Sequence, residues 1–600
     1  MRRFGKLATV ILGAVLAGSM TVGLAGCGDG APEGAEEITF WYEASLSNNR
    51  IYRDLIDTYN NGRGKEDGVW VEGDNRQNVD STQLYVSPPN VLLMTDESEF
   101  KSFALDDLFL DMTEYYNTIP GDYDEADIPA SLTERFRLDT ADNADGKRMA
   151  GEGAAIQGVP FGNSVQALYY SKTEFEDWGI NIISVAEEDL DGTGTYAKVQ
   201  PHGYAEYAEA PFEGAVSSTN LAGDTVYKVF NNRIPMNWEE FRYLSKCFTK
   251  SYRADSPTTY GSATHHWFSF GWSVGGDCIG YDGEKYAFTV ADQTPNYLVT
   301  HPDGVTVNGT QYAAGEIVTY EDKVNTENIA EMDGLYELPS QYDAIAEFDR
   351  LTTPTDREVD EGIPGYGISY APDDGAANNL TIGEYAMFAW DMGAITTLES
   401  TNQGNYDIAP LTQYREYEGG STYQKDGADG FANEYLKVIG VDYGDGVYTG
   451  ELAASEEGTP LTGVRAACAS YSALVIPRNS DAEKHEAAWK FIRWAAGPEG
   501  QAILMQTNTI VPNQTELAMS ESFLSFGEGK NYYALADSAQ YSDIGDWAYF
   551  EDGEWVTAWS GYFNNQLRTG YMTITEFLNR TESVANNTIG AVNIVLNGRR

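Results

Sequence analysis

The chain has 600 residues, with 92 Asp and Glu against 38 Lys and Arg and a formal net charge of −54 at pH 7. A polyanion of this size does not seek nucleic acid or anionic lipid headgroups, and its length exceeds one compact domain, so two or more lobes are expected. Aromatic residues make up 13 %, with 40 Tyr and 12 Trp, a supply that suits stacking surfaces for sugars as well as ordinary cores.

Residues 1–26 read as a secretion signal: Arg2, Arg3 and Lys6 form a basic n-region, and Leu7 to Leu16 an apolar h-region. Leu24-Ala25-Gly26-Cys27 follows directly. It resembles the lipobox of bacterial lipoproteins, which implies that Cys27 becomes the first mature residue and carries a lipid anchor. Residues 27–37 are small, polar and acidic, as in a flexible tether. No later apolar run is long enough to span a bilayer. The other cysteines are Cys247, Cys278 and Cys468. They allow at most one disulfide within the chain; Cys247 and Cys278 could pair, but their spacing does not decide it.

The mature fold begins with the strand-like run Ile38 to Tyr42. Ile51, Leu55, Ile56 and Tyr59 follow at helical spacing. Val69 to Glu72 reads as a second strand and Pro89 to Met94 as a third, ending at Thr95-Asp96-Glu97. Phe103 to Met112 reads as a short helix and loop. Strand–helix–strand alternation predicts a parallel α/β sheet. Ligands of such sheets bind at the carboxyl ends of the strands, which places Glu43 and the Asp96-Glu97 pair near a cleft.

The most legible stretch is Leu474 to Asn513. Ala473 to Ile476, closed by Pro477, reads as a buried strand. Ser480 and Glu483 have the spacing of a capping box. Ala488, Phe491, Ile492 and Ala495 form one apolar helix face. Gly497 stops that helix and Pro498 starts the next.

The run AAWKFIRWAAGPEGQ followed by IVPN resembles the signature of family 1 extracellular solute-binding proteins of ABC importers, the maltose-binding-protein-like cluster. Other blocks fall in that family's order. Gln157 to Lys172 resembles its first crossover between lobes, and Asn237-Trp238-Glu239-Glu240-Phe241 a helix start. Thr264 to Asp277, Ala386 to Gly393 and Tyr406 to Leu411 resemble later segments, and Val556 to Asn579 the closing helices. The stretches 184–233, 285–335 and 412–462 are longer than the family pattern and read as decorations of the second lobe.

The resemblance implies an α/β, two-lobed, periplasmic-binding-protein-like fold of type II with the ligand cleft between the lobes. One lobe is expected from 38–165 with 475–540, the other from 166–470 with 541–600, with crossovers near 160–166 and 468–474. It implies a lipid-anchored protein at the extracellular face of the cell membrane. Such a protein binds a carbohydrate, most simply an oligosaccharide, and delivers it to permease subunits as a monomer, with no cofactor. A non-sugar solute, a surface glycoside hydrolase and a structural adhesin are the competing readings.

Sugar rings lie on Trp or Tyr faces while their hydroxyls need polar partners. Trp267, Trp272, Trp390 and Trp559 are the candidate stacking residues. Glu43, Asp96, Asn163, Asp277 and Asp391 are the candidate hydroxyl partners, and Tyr471 and Arg465 lie at the second crossover. Catalytic motifs are missing: there is no HExxH, GxSxG, P-loop or GxGxxG, so no enzyme is expected. The stretch 141–152 places Asn143, Asp145, Gly146 and Glu152 as in a calcium loop. However, Ala141 holds the first ligand position, so it reads as a polar surface loop, and no metal site is expected.

Overall fold

The computed structural model describes residues 31–598 except 46–47, 120–126, 130–131, 134, 139–153, 264–267, 275–278, 282–285, 289–296, 319–334, 371–375, 402–403, 417–460, 463–468, 542–553 and a few positions between 300 and 363. The signal segment with Cys27, the calcium-like loop, Cys278, Arg465, Cys468 and most of 412–462 lie outside the described residues.

Among the described residues, ten strands make two five-stranded sheets. In chain order they are β1 (Glu36–Tyr42), β2 (Val69–Asn75), β3 (Val91–Met94), β4 (Val159–Val165), β5 (Ala167–Ser171), β6 (Tyr260–Ala263), β7 (Ser369–Tyr370), β8 (Tyr385–Trp390), β9 (Tyr406–Ala409) and β10 (Ala469–Val475). The first sheet has the order β2-β1-β3-β10-β4 and the second β7-β6-β8-β5-β9. Each is the centre of one lobe.

The expected parallel sheet is met only in part. β1 pairs in parallel with β2 and β3, but β10 lies antiparallel between β3 and β4. The reason is topological. β4 carries the chain out of the first lobe and β10 brings it back, so β10 must run the other way. In the second sheet β5 is likewise antiparallel to β8 and β9.

Packing follows the sequence periodicities. Ile38 and Phe40 of β1 are fully buried and face the helix His485–Ala495, whose Ala488, Phe491, Ile492 and Ala495 are buried as the spacing predicts. The Phe491 ring lies 5.3 Å from Phe40 and 5.1 Å from Tyr59. Each such side chain contributes about 1.5–3 kcal/mol relative to an exposed one. Gly497 caps the next helix, Pro498–Leu504, with Pro498 in its first turn. The expected Ser480/Glu483 capping box does not form. Asp481 takes the cap by accepting from Glu483 N, because Ser480 is turned inward, donating to Pro477 O at 2.7 Å and meeting His485 Nε2 at 3.1 Å.

The Pro-Glu-Gly-Gln and Val-Pro-Asn pieces of this stretch have one physical purpose. Gln501, fully buried, donates to Phe161 O at 2.8 Å and accepts from Asn513 N at 3.1 Å. Asn513 donates to Pro160 O at 2.6 Å. Two side-chain amides thus lock the segment onto β4. Gly500 is required by close approach, since a Cβ there would sit 2.2 Å from Ala495 O.

Among the described residues, the chain passes between the sheets at three places. The first passage is Gln166 alone, between β4 and β5, and the second runs from β9 to β10. The third follows Ser525–Gly527, where Glu528 and Gly529 both adopt positive φ, 50° and 93°. Helix Tyr532–Tyr541 then packs on β4, β5 and β9.

Two of the extra stretches have small cores of their own. Strands Ile180–Ile183, Tyr204–Tyr207, Ser218–Thr219 and Thr225–Asn231 form an accessory sheet over Ile183, Val199 and Val229. Around residues 297–337, Tyr297, Val299, Val307, Val318 and Leu335 form a second. Cys247 is a buried free thiol, and burial pushes it up to about 12. Among the described residues, no helix is long and apolar enough to cross a membrane.

Candidate functional site

The three parallel strands of the first sheet end at one depression. Glu43 follows β1, Arg76 follows β2, and Thr95 and Asp96 follow β3. Together with Asn78, Asp80 and Glu99 they line a cavity of about 270 Å³ floored by Leu92 to Met94. The rule that α/β ligands bind beyond the carboxyl ends of strands is what placed Glu43 and Asp96 here.

Two of its carboxylates are held by the backbone. Asp80 forms a capping box with Gln83, accepting from Gln83 N at 2.9 Å while Gln83 Oε1 accepts from Asp80 N at 3.0 Å. Asp96 caps helix Glu97–Leu105, accepting from Glu99 N at 2.8 Å. A carboxylate offers about four acceptor sites, so a capping carboxylate retains capacity for a ligand donor. The Arg76 guanidinium lies 4.0 Å over the Trp41 ring and is paired to Asp74 at 2.7 Å. Its charge is therefore matched within the protein. Tyr42 donates to Asn49 at 2.9 Å and stacks on Tyr52 at 4.8 Å. Burial raises the phenols of both above the usual 10, Tyr52 to about 12, so both are neutral donors at physiological pH. The cavity thus offers carboxylate acceptors, a neutral amide and hydroxyl, and an apolar floor.

Strand register puts further candidates beside this depression. Met94 pairs with Ala473, so Asp96, two residues on, is level with Tyr471, two residues back along the antiparallel partner. Tyr471 in turn pairs with Asn163. Both are buried, and Tyr471 lies under the Arg135 guanidinium at 4.7 Å. Across the first passage, Trp390 pairs with Ala167, four residues or about 13 Å of extended chain from Asn163. Trp390 is partly buried at the end of β8. Asp391 follows; its carbonyl accepts from Tyr169 OH at 3.2 Å and its carboxylate from Gly393 N at 2.7 Å.

Trp272 is on helix Phe268–Ser273. Trp559 is 6 % exposed, with its ring 4.3 Å from Phe577, which places it in the packing of the second lobe. Trp267 and Asp277 lie outside the described residues. Glu97, expected beside Asp96 at the cleft, points inward instead. It pairs with Arg135 at 3.2 Å, both side chains under 8 % exposed. Sequence reasoning missed Arg76, Asp80 and Glu99. Arg76 could have been found by applying the strand-end rule to β2, and Asp80 by the capping spacing Asp80–Gln83. Among the described residues, no group of three or more His, Cys, Asp or Glu is arranged to hold a metal ion.

Residues 364–525 match the family model of bacterial extracellular solute-binding proteins, a span that includes β8, β9, β10 and the helices of the Leu474–Asn513 stretch. Among solved structures, a cyclic α-maltosyl-1,6-maltose binding protein from Arthrobacter globiformis is 13 % identical, covers 93 % of this chain and 100 % of its own, and has a TM-score of 0.54. UgpB from Mycobacterium tuberculosis, in complex with glycerophosphocholine, is 12 % identical over 93 % and 99 %, with a TM-score of 0.53. An ABC substrate-binding protein from Listeria monocytogenes, in complex with cycloalternan, is 13 % identical over 93 % and 99 %, with a TM-score of 0.51. At these identities the likeness concerns the fold. No curated protein matches the sequence.

Proposed function

We infer that this chain, with the two-lobed fold of periplasmic binding proteins and the solute-binding family match over 364–525, is the substrate-binding lipoprotein of an ABC importer. Its ligand is a carbohydrate, most simply an oligosaccharide. Cys27 anchors it to the outer face of the cell membrane. The first lobe is 38–165 with the chain from β10 to the third passage, and the second lobe is the stretch between them together with the chain after that passage. They close on the ligand as a hinge and present it to the permease. The protein acts as a monomer and performs no covalent chemistry.

The observation that carries this reading is the depression at the ends of β1, β2 and β3. It supplies carboxylates over an apolar floor next to an aromatic-bearing passage between lobes. Hydroxyl groups of a sugar donate to such carboxylates, and charge-assisted bonds of this kind are the stronger class. Glu43 and Asp96 would bind hydroxyls from the first lobe, and Trp390 and Asp391 would meet the sugar from the second. Trp267, Trp272 and Asp277 remain candidates by the family resemblance, and Asn163 and Tyr471 belong to the passages. The Arthrobacter neighbour, named for binding cyclic α-maltosyl-1,6-maltose, and the Listeria neighbour, in complex with cycloalternan, support the sugar reading. The glycerophosphocholine of the mycobacterial neighbour supports a polar non-sugar solute as the alternative.

A thermal-shift screen of the mature domain tests this, because a ligand that binds only the folded state raises the melting temperature once its concentration exceeds Kd. Linear and cyclic glucans, other oligosaccharides and glycerophosphodiesters form the panel. A shift with one glycan class, the glycan recovered unchanged, supports the proposal. A shift with glycerophosphodiesters alone moves the assignment to the non-sugar solute, and cleavage of a glycan overturns the binding-only reading.

A further inference from the structure

Three consecutive residues of the third passage, Asn531, Tyr532 and Tyr533, are held by different lobes. Asn531 N donates to Asp407 Oδ1 at 2.7 Å, and its side-chain amide donates to the carbonyls of Asn232 and Ile408 at 2.5 and 3.1 Å. These are second-lobe groups. Tyr532 OH donates to Asn508 at 2.5 Å, on the segment stitched to β4 through Val511 N and Asn163 O at 2.8 Å. Tyr533 lies under the Arg233 guanidinium at 3.6 Å.

Asn232 and Arg233 are the first two residues beyond strand Thr225–Asn231, the end of the accessory sheet. Asn232 is buried and its Nδ2 donates to Tyr170 OH at 3.2 Å and to Asp407 Oδ2 at 3.3 Å. Tyr170 OH also donates to Asp407 Oδ2 at 3.2 Å. Asp407 is itself buried and accepts Ile408 N at 2.8 Å as well. One buried carboxylate therefore joins β5, β9, the end of the accessory sheet and the start of the lobe-spanning helix. One residue earlier Asn231 exchanges two hydrogen bonds with Val185, at 3.1 and 2.9 Å, which fastens the ends of two accessory strands to each other just before Asn232.

We propose that the accessory sheet braces the third passage. Asn232 and Arg233, acting with Asp407, fix residues 531–533 to the second lobe and so set the resting opening between the lobes. With 531 and 533 tied to the second lobe, opening is taken up by the left-handed pair Glu528–Gly529 and by the Tyr532–Asn508 bond. This concerns the ligand-free protein and holds whichever solute binds.

The test uses ligand-free, full-length mature protein, read by amide hydrogen exchange and small-angle scattering. In Asp407→Asn, an amide Nδ2 faces Asn232 Nδ2, donor against donor. Asn232→Asp in the same chain restores a donor–acceptor pair with the order reversed. Arg233→Ala removes the stacked guanidinium from a half-buried position and leaves the buried cluster intact. Losing a hydrogen bond to a buried charged group should accelerate exchange in 528–541 roughly tenfold or more in Asp407→Asn. Peptides of β1–β3 should keep their protection, and the scattering should report a wider distribution of interlobe distances. Arg233→Ala should move both readouts the same way, and the double variant should return both towards wild type. Equal loss of protection in β1–β3 would mean general destabilisation and overturn the brace. So would faster exchange in 528–541 with an unchanged scattering profile, or a double variant no better than the single.

Discussion

Replacing Asp96 by alanine and by asparagine separates two jobs held by one carboxylate. Its Oδ1 accepts from Glu99 N at 2.8 Å and caps helix Glu97–Leu105, and the side chain lines the depression with Glu43. Removing an N-cap costs about 1 kcal/mol, whereas Asn caps about as well as Asp. A ligand hydroxyl bonded to the charged carboxylate contributes about 1.5–3 kcal/mol, which is roughly a 10- to 150-fold change in Kd. Asp96→Asn should therefore melt within about 2 °C of wild type and still lose at least tenfold in affinity. Asp96→Ala should lose the same affinity and stability as well. Calorimetric titration with the glycan that raises the melting temperature, together with the two melting curves, measures both. Wild-type affinity in Asp96→Asn would refute the placement of the ligand at the ends of β1 and β3.

Gln501→Ala should cost about 2–5 kcal/mol in the first lobe, since it leaves Phe161 O and Asn513 N buried and unpaired, and Gly500→Ala should also destabilise because its Cβ would strike Ala495 O; denaturant melts of each check this. His485 is pushed below its ordinary 6.5 first by burial, with Ser480 and Asp481 opposing. The unfolded chain then binds more protons than the folded one, so this histidine's share of stability is present above about 6.5 and is lost as pH falls towards the folded value. His485→Gln should flatten the stability profile below about pH 6.5, as read by chemical denaturation at each pH. Cys247, buried and raised to about 12, should resist thiol reagents in the native protein and react on unfolding, followed at its own peptide by mass spectrometry.

The parts of this fold that were legible in the sequence are those set by local periodicity and by strand ends. The face Ala488, Phe491, Ile492 and Ala495 is buried because spacing at i, i+3, i+4 and i+7 leaves the residues no other common direction. Glu43 and Asp96 meet because parallel strands aligned by their apolar cores must end together. Direction within the sheets was not legible, since β10 reads the same apolar string whether it runs with β3 or against it. Only the route of the chain through the second lobe decides that. Glu97 shows the limit for sites. Its neighbour Asp96 faces the depression, but one residue further along a helix start the side chain swings inward, where Arg135 from a distant segment takes it. Ser480 shows a limit for caps too, because its hydroxyl turns back to Pro477 O and meets His485 within the same turn, which leaves the cap to Asp481.

The placement of β10 also explains why the most recognisable stretch of the sequence lies so far from the first lobe it completes. β4 and β10 are hydrogen-bonded neighbours, yet almost the whole second lobe intervenes. Closing a loop of that length costs little more than closing a short one, about 0.6 kcal/mol for each doubling, provided the partners bind firmly once met. Firm binding is supplied by the buried amides of Gln501 and Asn513 on β4, by the apolar face of His485–Ala495 on β1, and by the close approach that Gly500 permits. A lobe built in this way from two distant pieces leaves every connection to its partner near the hinge. Between the lobes the sheets themselves share no strand. Among the described residues, relative motion therefore requires change at Gln166, at the β9–β10 connection, at Glu528–Gly529 and at the Tyr532–Asn508 bond. The residues that brace the last of these, Asn232, Arg233 and Asp407, lie away from the depression lined by Glu43 and Asp96. Substitutions at the brace should consequently change how far the lobes open while leaving the ligand's hydroxyl partners in place.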